Sequence, residues 1–230
     1  MEMQRFSTKV KQIRSLTPEV LGLSLAIPER FEWSPGQYVG VSDKADGALS
    51  YYSIASARLT SRLSDIELAV HGPSIKWKEP VRVGMDLYLS DPGGGPKPRD
   101  WRETERLILI GMGTGVAPLR AVVQACLLDA HEVRRAITLV QGARNLSNCL
   151  FYEEFMGLTQ SGLNYIPVLS QPLQSDVWLG KTGRVQSHLH DLQVAGSRFC
   201  VCGKIDMVTE VVAMLVAQGA RDEQVFSEGY

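Results

Sequence analysis

Stretches at 9–15, 20–25, 37–42, 52–55, 66–71 and 86–90 either alternate apolar and polar side chains or gather β-branched and aromatic ones. That is the two-residue period of a half-buried strand. Turn pairs separate them: Pro35-Gly36, Asp46-Gly47, Gly72-Pro73 and Val83-Gly84. Six short strands at this spacing predict a small antiparallel β-barrel. The rhythm breaks at 91–100, DPGGGPKPRD, where three prolines and three glycines in ten residues admit no regular element.

Beyond that break the period changes. Apolar runs at 107–110, 136–140, 165–169 and 199–202 alternate with helical stretches at about 117–129, 151–158, 183–191 and 206–218, and a last strand is expected at 224–227. In the final helix Met207, Val211, Met214 and Leu215 recur at helical spacing, with Gly219 as a stop. Strands alternating with helices predict a doubly wound parallel sheet with right-handed crossovers. The expected architecture is therefore two-domain: an N-terminal antiparallel six-stranded β-barrel at 1–98, a linker at 99–105 and a C-terminal α/β domain at 106–230. Ligands of such a sheet collect beyond the C-terminal ends of its strands, which singles out 111–115, 142–144, Ser170 and Gly203.

The first of these is the most informative. Residues 107–120, LILIGMGTGVAPLR, run from a buried strand into glycines at 111, 113 and 115 and then into a helix. Glycines let main-chain N–H groups approach a ligand, and a helix N-terminus favours an anion, so the turn suits a pyrophosphate. A strict GxGxxG needs a small residue at 116, where Val116 stands with Ala117 one place late. On these residues alone a tight turn without a ligand stays open.

Composition narrows the field. With 230 residues and a net charge of −1, the chain is not built for a nucleic acid or a membrane surface as its main partner. No apolar run reaches the roughly 20 residues of a membrane span, and residues 1–15 lack the apolar core of a secretion signal, so a cytoplasmic protein is expected. Cys126, Cys149, Cys200 and Cys202 fit no zinc or iron–sulfur spacing and read as reduced thiols. His71, His131, His188 and His190 do not cluster in sequence, and no metal is expected.

Along nearly its whole length the chain resembles the ferredoxin–NADP reductase superfamily of flavin-dependent reductases. The motifs occur in the family's order: WSPGQY at 33–38, YSIAS at 52–56, the glycine- and proline-rich close at 83–95, GMGTGVAPLR at 111–120, QGARNLSNCLFYEE at 141–154, WLGKTGRV at 178–185, CGKIDM at 202–207 and the final Glu228-Gly229-Tyr230. The resemblance implies a flavin on the barrel and NADH or NADPH on the α/β domain. It places Tyr52, Ser53, Ile54, Ser56, Gly72 and Ser74 at the flavin. Gly111, Gly113, Thr114, Gly115, Val116, Pro118, Gly142, Arg144, Ser170, Gly203 and Met207 fall at the nucleotide. Ser53, Cys202, Glu228 and Tyr230 then form the catalytic set, with Cys202 and Tyr230 also touching the rings. Hydride transfer depends on holding nicotinamide against flavin, so these roles are chiefly positional.

Two departures bear on cofactor choice. Ser50 stands where the family carries an arginine for the flavin phosphate, and serine cannot replace that charge. Ser74, Lys76 or Lys78 would have to compensate. FAD is expected, with FMN or free flavin as alternatives. Gln171 follows Ser170 where NADPH-selective relatives carry arginine, which leans toward NADH, with Arg144, Lys181 and Arg184 as other sources of charge. Arg120 is open between a functional contact and a solvated helix position. Trp77 has no assigned role. The implied activity is transfer of hydride from NAD(P)H to FAD and of electrons to an external acceptor, a ferredoxin or another carrier protein, by a monomer. A reductase of diffusible flavin and a non-catalytic electron-transfer or binding subunit are the alternatives.

Overall fold

Thr8, Val10 and Phe6 alternate inward along a strand of eleven residues while Lys9, Lys11 and Ser7 face out, and this long strand organises the N-terminal half. In the computed structural model, which describes residues 5–58, 65–75, 77–96, 104–128 and 135–230, the strands are β1 (Arg5–Ser15), β2 (Val20–Ala26), β3 (Tyr38–Ser42), β4 (Ser50–Ser53), β5 (Asp65–His71) and β6 (Asp86–Ser90). They pair antiparallel in the order β4-β3-β6-β1-β2-β5. A bridge between Ile54 and Leu68 joins the two edges and closes the barrel. Its interior holds Leu23, Leu25, Phe31, Val39, Ile54, Leu68, Leu87 and Leu89, all essentially inaccessible.

The glycine-rich break is less loose than its composition suggests. Tyr38 and Gly93 exchange both main-chain hydrogen bonds, so the segment starts as an extra rung of the barrel. Gly95, at φ +73°, lies so close to Gly36 that a Cβ would sit 2.5 Å from the Gly36 carbonyl oxygen. Residues 97–103, with most of the expected linker, lie outside the described residues.

The second half alternates as expected: β7 (Arg106–Met112), α1 (Val116–Leu128), β8 (Ala136–Ala143), α2 (Tyr152–Leu158), β9 (Leu163–Leu169), β10 (Lys181–Thr182), β11 (Ser197–Gly203), α3 (Ile205–Ala217) and β12 (Val225–Gly229). All six strands run parallel in the order β10-β9-β8-β7-β11-β12. Gly219, at φ +94°, follows the end of α3. One expectation fails. Residues 183–191 form only a short 3-10 turn, Val185–His188. Val185 and Leu189 sit one turn apart and are both buried. No further apolar repeat extends that stripe, and Gly183 at φ +101° precedes it. The two-residue β10 is too short to leave a pattern.

The halves share one core. Val20, Ala55, Ala57 and Ala69 of the barrel belong to the same buried cluster as Leu119, Val122, Val123, Leu139 and Phe155. Alanines on the barrel side let α1 approach the strands closely. Phe155, fully buried between the rings of Phe151 and Tyr165, anchors the far side. Phe155→Ala is expected to cost about 3–5 kcal/mol, read from the urea midpoint at unchanged slope.

Candidate functional site

β7 delivers Gly111, the turn Gly113–Gly115 and the start of α1 in immediate succession. The turn lies beside both β5 of the barrel and β11. Gly115 cannot be anything larger: its Cβ would stand 2.5 Å from the carbonyl carbon and oxygen of Cys202. Gly111 is similarly closed by Leu119 at 2.7 Å. Val116 and Pro118 are buried at the head of α1. Valine is accommodated at 116 because its side chain is wholly buried in the core.

Tyr230 lies over this turn. Its Oη accepts the Gly115 N–H at 3.2 Å and donates to the Met112 carbonyl at 3.3 Å. A main-chain pair with Gly203 and Ile205 fixes the residue at the end of β12. Burial of the phenol end pushes its pKa up, partly offset by hydrogen bonds from Thr114 and Gly115, while the residue as a whole stays 58% exposed. The hydroxyl thus stands where an oxygen of a bound anion would meet the loop. Cys202 pairs with Glu228 across β11 and β12. Burial, with the Glu228 charge adding, pushes the Cys202 thiol up to about 12, so it stays protonated. Burial also lifts the Glu228 carboxyl above its ordinary range.

Beyond the ends of β7, β8 and β9 opens a cavity of about 410 Å³. Met112, Gly142, Arg144, Ser170 and Met207 line it, together with the cations Arg184 and Lys204 and the carboxylates of Asp206 and Glu210. Gln171 holds the Arg144 guanidinium, Nε to Oε1 at 2.9 Å. Gly203, at φ +157°, closes against Met207. Four residues expected at the nucleotide, Gly142, Arg144, Ser170 and Met207, are therefore gathered around one opening, and Met112 connects it to the glycine turn.

On the barrel the expected flavin residues divide. Tyr52 is half-buried, its ring 6.3 Å from that of Trp77 in an edge-to-face pair. The Tyr52 hydroxyl and the Trp77 indole nitrogen are both buried with no partner at hydrogen-bonding geometry among the described residues. Burial raises the Tyr52 phenol, with the nearby Ser50 hydroxyl pulling the other way. Ser53 is partly accessible at the end of β4. Ile54, by contrast, buries its whole side chain in the barrel, which leaves only its main chain for any contact. Ser56 Oγ accepts the Glu67 N–H at 3.0 Å and so serves barrel closure. Gly72–Ser74 forms a 3-10 turn tied to Glu19 through the Gly72 N–H. The side chain of Ser74 and the whole of Lys76 lie outside the described residues.

Arg120 is not a solvated helix position. It is 8% exposed. Its Nε donates to both Glu154 oxygens at 2.9 and 2.7 Å, and Nη1 donates to Glu67 Oε2 at 2.7 Å and to the Ala55 carbonyl at 2.9 Å. The guanidinium also lies 4.4 Å from the centre of the Phe151 ring. Sequence reading missed Glu67, Gln124 and Glu154. The signal available was the polar pair Arg120 and Gln124, one turn apart on a helix otherwise apolar.

Comparison with known proteins fits this geometry. The sequence model for the oxidoreductase NAD-binding domain matches residues 109–213, which takes in the glycine turn and the cavity. The chain is 26% identical to the phenol hydroxylase P5 protein of Acinetobacter pittii over 99% of its own length and 66% of that protein's. It is 28% identical to the reductase component DmpP of phenol 2-monooxygenase from a Pseudomonas strain over 96% of its length and 64% of that protein's. It therefore spans about two thirds of these curated relatives. Among solved structures, a ferredoxin NADP+ reductase from Neisseria gonorrhoeae with bound FAD and NADP superposes with a TM-score of 0.81 at 18% identity, covering 99% of both chains.

A carboxyl whose pKa is higher folded than unfolded opposes folding once both states ionise, and the penalty vanishes where both are protonated. Glu228→Gln is accordingly expected to raise the thermal midpoint at about pH 7.5, with the difference from wild type shrinking toward zero at about pH 4. A difference independent of pH would contradict the raised carboxyl.

Proposed function

We propose that this chain, a relative of the ferredoxin and flavin reductases that shares their two-domain fold, is an NAD(P)H-dependent flavoprotein reductase. The observation that carries the reading is the Gly115 N–H held by Tyr230 Oη, which marks an oxygen-binding position on a strand-to-helix turn next to the barrel. The dinucleotide pyrophosphate takes that position, and its adenosine half takes the 410 Å³ cavity. FAD is expected on the barrel beside the Tyr52–Trp77 edge-to-face pair and the partly accessible Ser53. When bound, flavin supplies the exchange between a two-electron donor and a one- or two-electron acceptor.

The protein's own groups hold and exclude. The glycine turn presents N–H groups at the head of α1, whose dipole adds to the attraction for phosphate. Cys202, neutral at physiological pH, gives the nicotinamide an uncharged wall. Glu228, with its raised pKa, is the carboxyl placed to give or take a proton at the reacting face. Tyr230 covers the loop until a dinucleotide displaces its hydroxyl. The external acceptor is a ferredoxin or a comparable carrier, and four buried cysteines read as reduced thiols suit a reducing cytoplasm.

A second reading, reduction of diffusible flavin, draws support from Ser50. Ser50, at the start of β4, carries no charge for a flavin phosphate. Freshly purified protein decides between the two. About one flavin per chain, bleached anaerobically by a nicotinamide nucleotide, is the expected result. Colourless protein that oxidises NADH only with added FMN or FAD would support the diffusible-flavin reading. No oxidation with any flavin would defeat both.

NADH is the favoured donor, because the uncharged Gln171 stands after Ser170 and holds the Arg144 guanidinium, and because Asp206 and Glu210 line the cavity beside its cations. Glu210→Gln is expected to raise the ratio of NADPH to NADH kcat/KM by roughly two- to fivefold, the scale of an exposed charge interaction. An unchanged ratio would remove Glu210 from donor selection.

A further inference from the structure

The polar groups under α1 form a single connected set that crosses from one half of the molecule to the other. Arg120 stands on α1, five residues after Gly115. Its Nη1 reaches the Ala55 carbonyl, two residues after Ser53, and Glu67 on β5. Its Nε is held by Glu154 on α2. Glu67 is gripped from its other side by Arg14 of β1, Nε to Oε1 at 2.8 Å. One turn along α1, Gln124 Oε1 accepts the Ala57 N–H at 3.0 Å while its Nε2 donates to Glu154 at 2.8 Å. The ring of Phe151 lies near both guanidiniums, its centre 4.4 Å from Arg120 and 5.9 Å from Arg14. Phe151 adopts φ +59°, a backbone conformation costly for an aromatic residue.

This arrangement does more than cover an interface. Beyond β4, which carries Tyr52 and Ser53, the chain runs on through residues 54–57, where several main-chain groups are held. The Ile54 N–H goes to Gln37 and the Ala55 N–H to Glu67. The Ser56 carbonyl takes the Trp33 indole. Two further bonds, at the Ala55 carbonyl and the Ala57 N–H, go to α1 of the other domain. A guanidinium is planar and forks in fixed directions, so it transmits position as well as charge.

We propose that Arg120 is a positioning residue that sets the flavin strand against the nucleotide turn, so that hydride transfer depends on a side chain that touches neither ring. The inference rests on the reductase reading. Its consequence is selective: loss of the fork shifts the alignment of donor and acceptor while leaving each binding face intact. Angular and distance tolerances in such a transfer are tight, and small misplacements are costly.

The test compares Arg120→Met and Arg120→Lys with wild type. In Arg120→Met, flavin content and the Kd for NADH are expected to stay within about twofold, while single-turnover flavin reduction slows at least tenfold and the charge-transfer absorbance on mixing is lost. Hydrogen exchange at the Ala57 amide, which needs no cofactor, is expected to speed at least tenfold. Lysine keeps the charge without the fork and should recover only a minor part of the rate. If Arg120→Met does not fold, Glu67→Gln weakens the same link from the barrel side and should move both readouts in the same direction. Wild-type reduction rate and charge-transfer band in a loaded, folded variant would overturn the proposal. Should wild type itself neither take up flavin nor oxidise NADH, the reductase reading fails, and the exchange measurement still decides whether Arg120 holds the flavin strand.

Discussion

A positive charge enclosed between two domains must be matched by its surroundings, and Arg120 is held at Nε by Glu154 and at Nη1 by Glu67 and the Ala55 carbonyl. Desolvating a guanidinium is expensive, and removing one partner of a buried pair costs roughly 3–5 kcal/mol because the other charge is stranded. Here Glu67, Glu154 and a carbonyl satisfy it, and its ring neighbour Phe151 shields it. The requirement reaches outward. Glu67 must be on β5, so the barrel must close at Ile54–Leu68. Glu154 must be in the first turn of α2, so the chain must reverse at Phe151 despite the cost. Such an ion pair is a weak source of net stability, while removal of either partner is costly.

A second constraint is steric. Gly115 meets the end of β11 with no room for a single methyl group, which fixes the head of α1 against Cys202 and, through β12, against Glu228 and Tyr230. Contacts at both ends of one helix turn thus connect every part of the site. Arg120 ties α1 to the strand bearing Tyr52 and Ser53, and Gly115 ties it to the strand pair bearing the C-terminal residues. The large cavity lies one strand further along the same sheet edge.

Much of this was readable from residue types, and the limits have physical causes. The barrel strands, the parallel sheet and the glycine turn follow from period and punctuation, because burial imposes them locally. The 3-10 turn at 185–188 was misjudged since two apolar residues at helical spacing look the same whether one turn follows or three. Ile54 and Ser56 belong to a motif implied at the flavin, yet the pleat sends one into the core and barrel closure claims the hydroxyl of the other. Arg120 could not be assigned at all. Its partners are 34, 53 and 65 residues away along the chain, and only the packed fold brings them together.

The most direct test of the account is the first turnover with NADH deuterated at one or the other C4 position, followed by flavin bleaching in a stopped-flow instrument. A site that holds nicotinamide in one orientation against the barrel predicts slower bleaching with only one of the two labelled donors. Equal rates with both labels and with unlabelled NADH, or bleaching slowed alike by either label, would contradict a single fixed alignment across the domain interface.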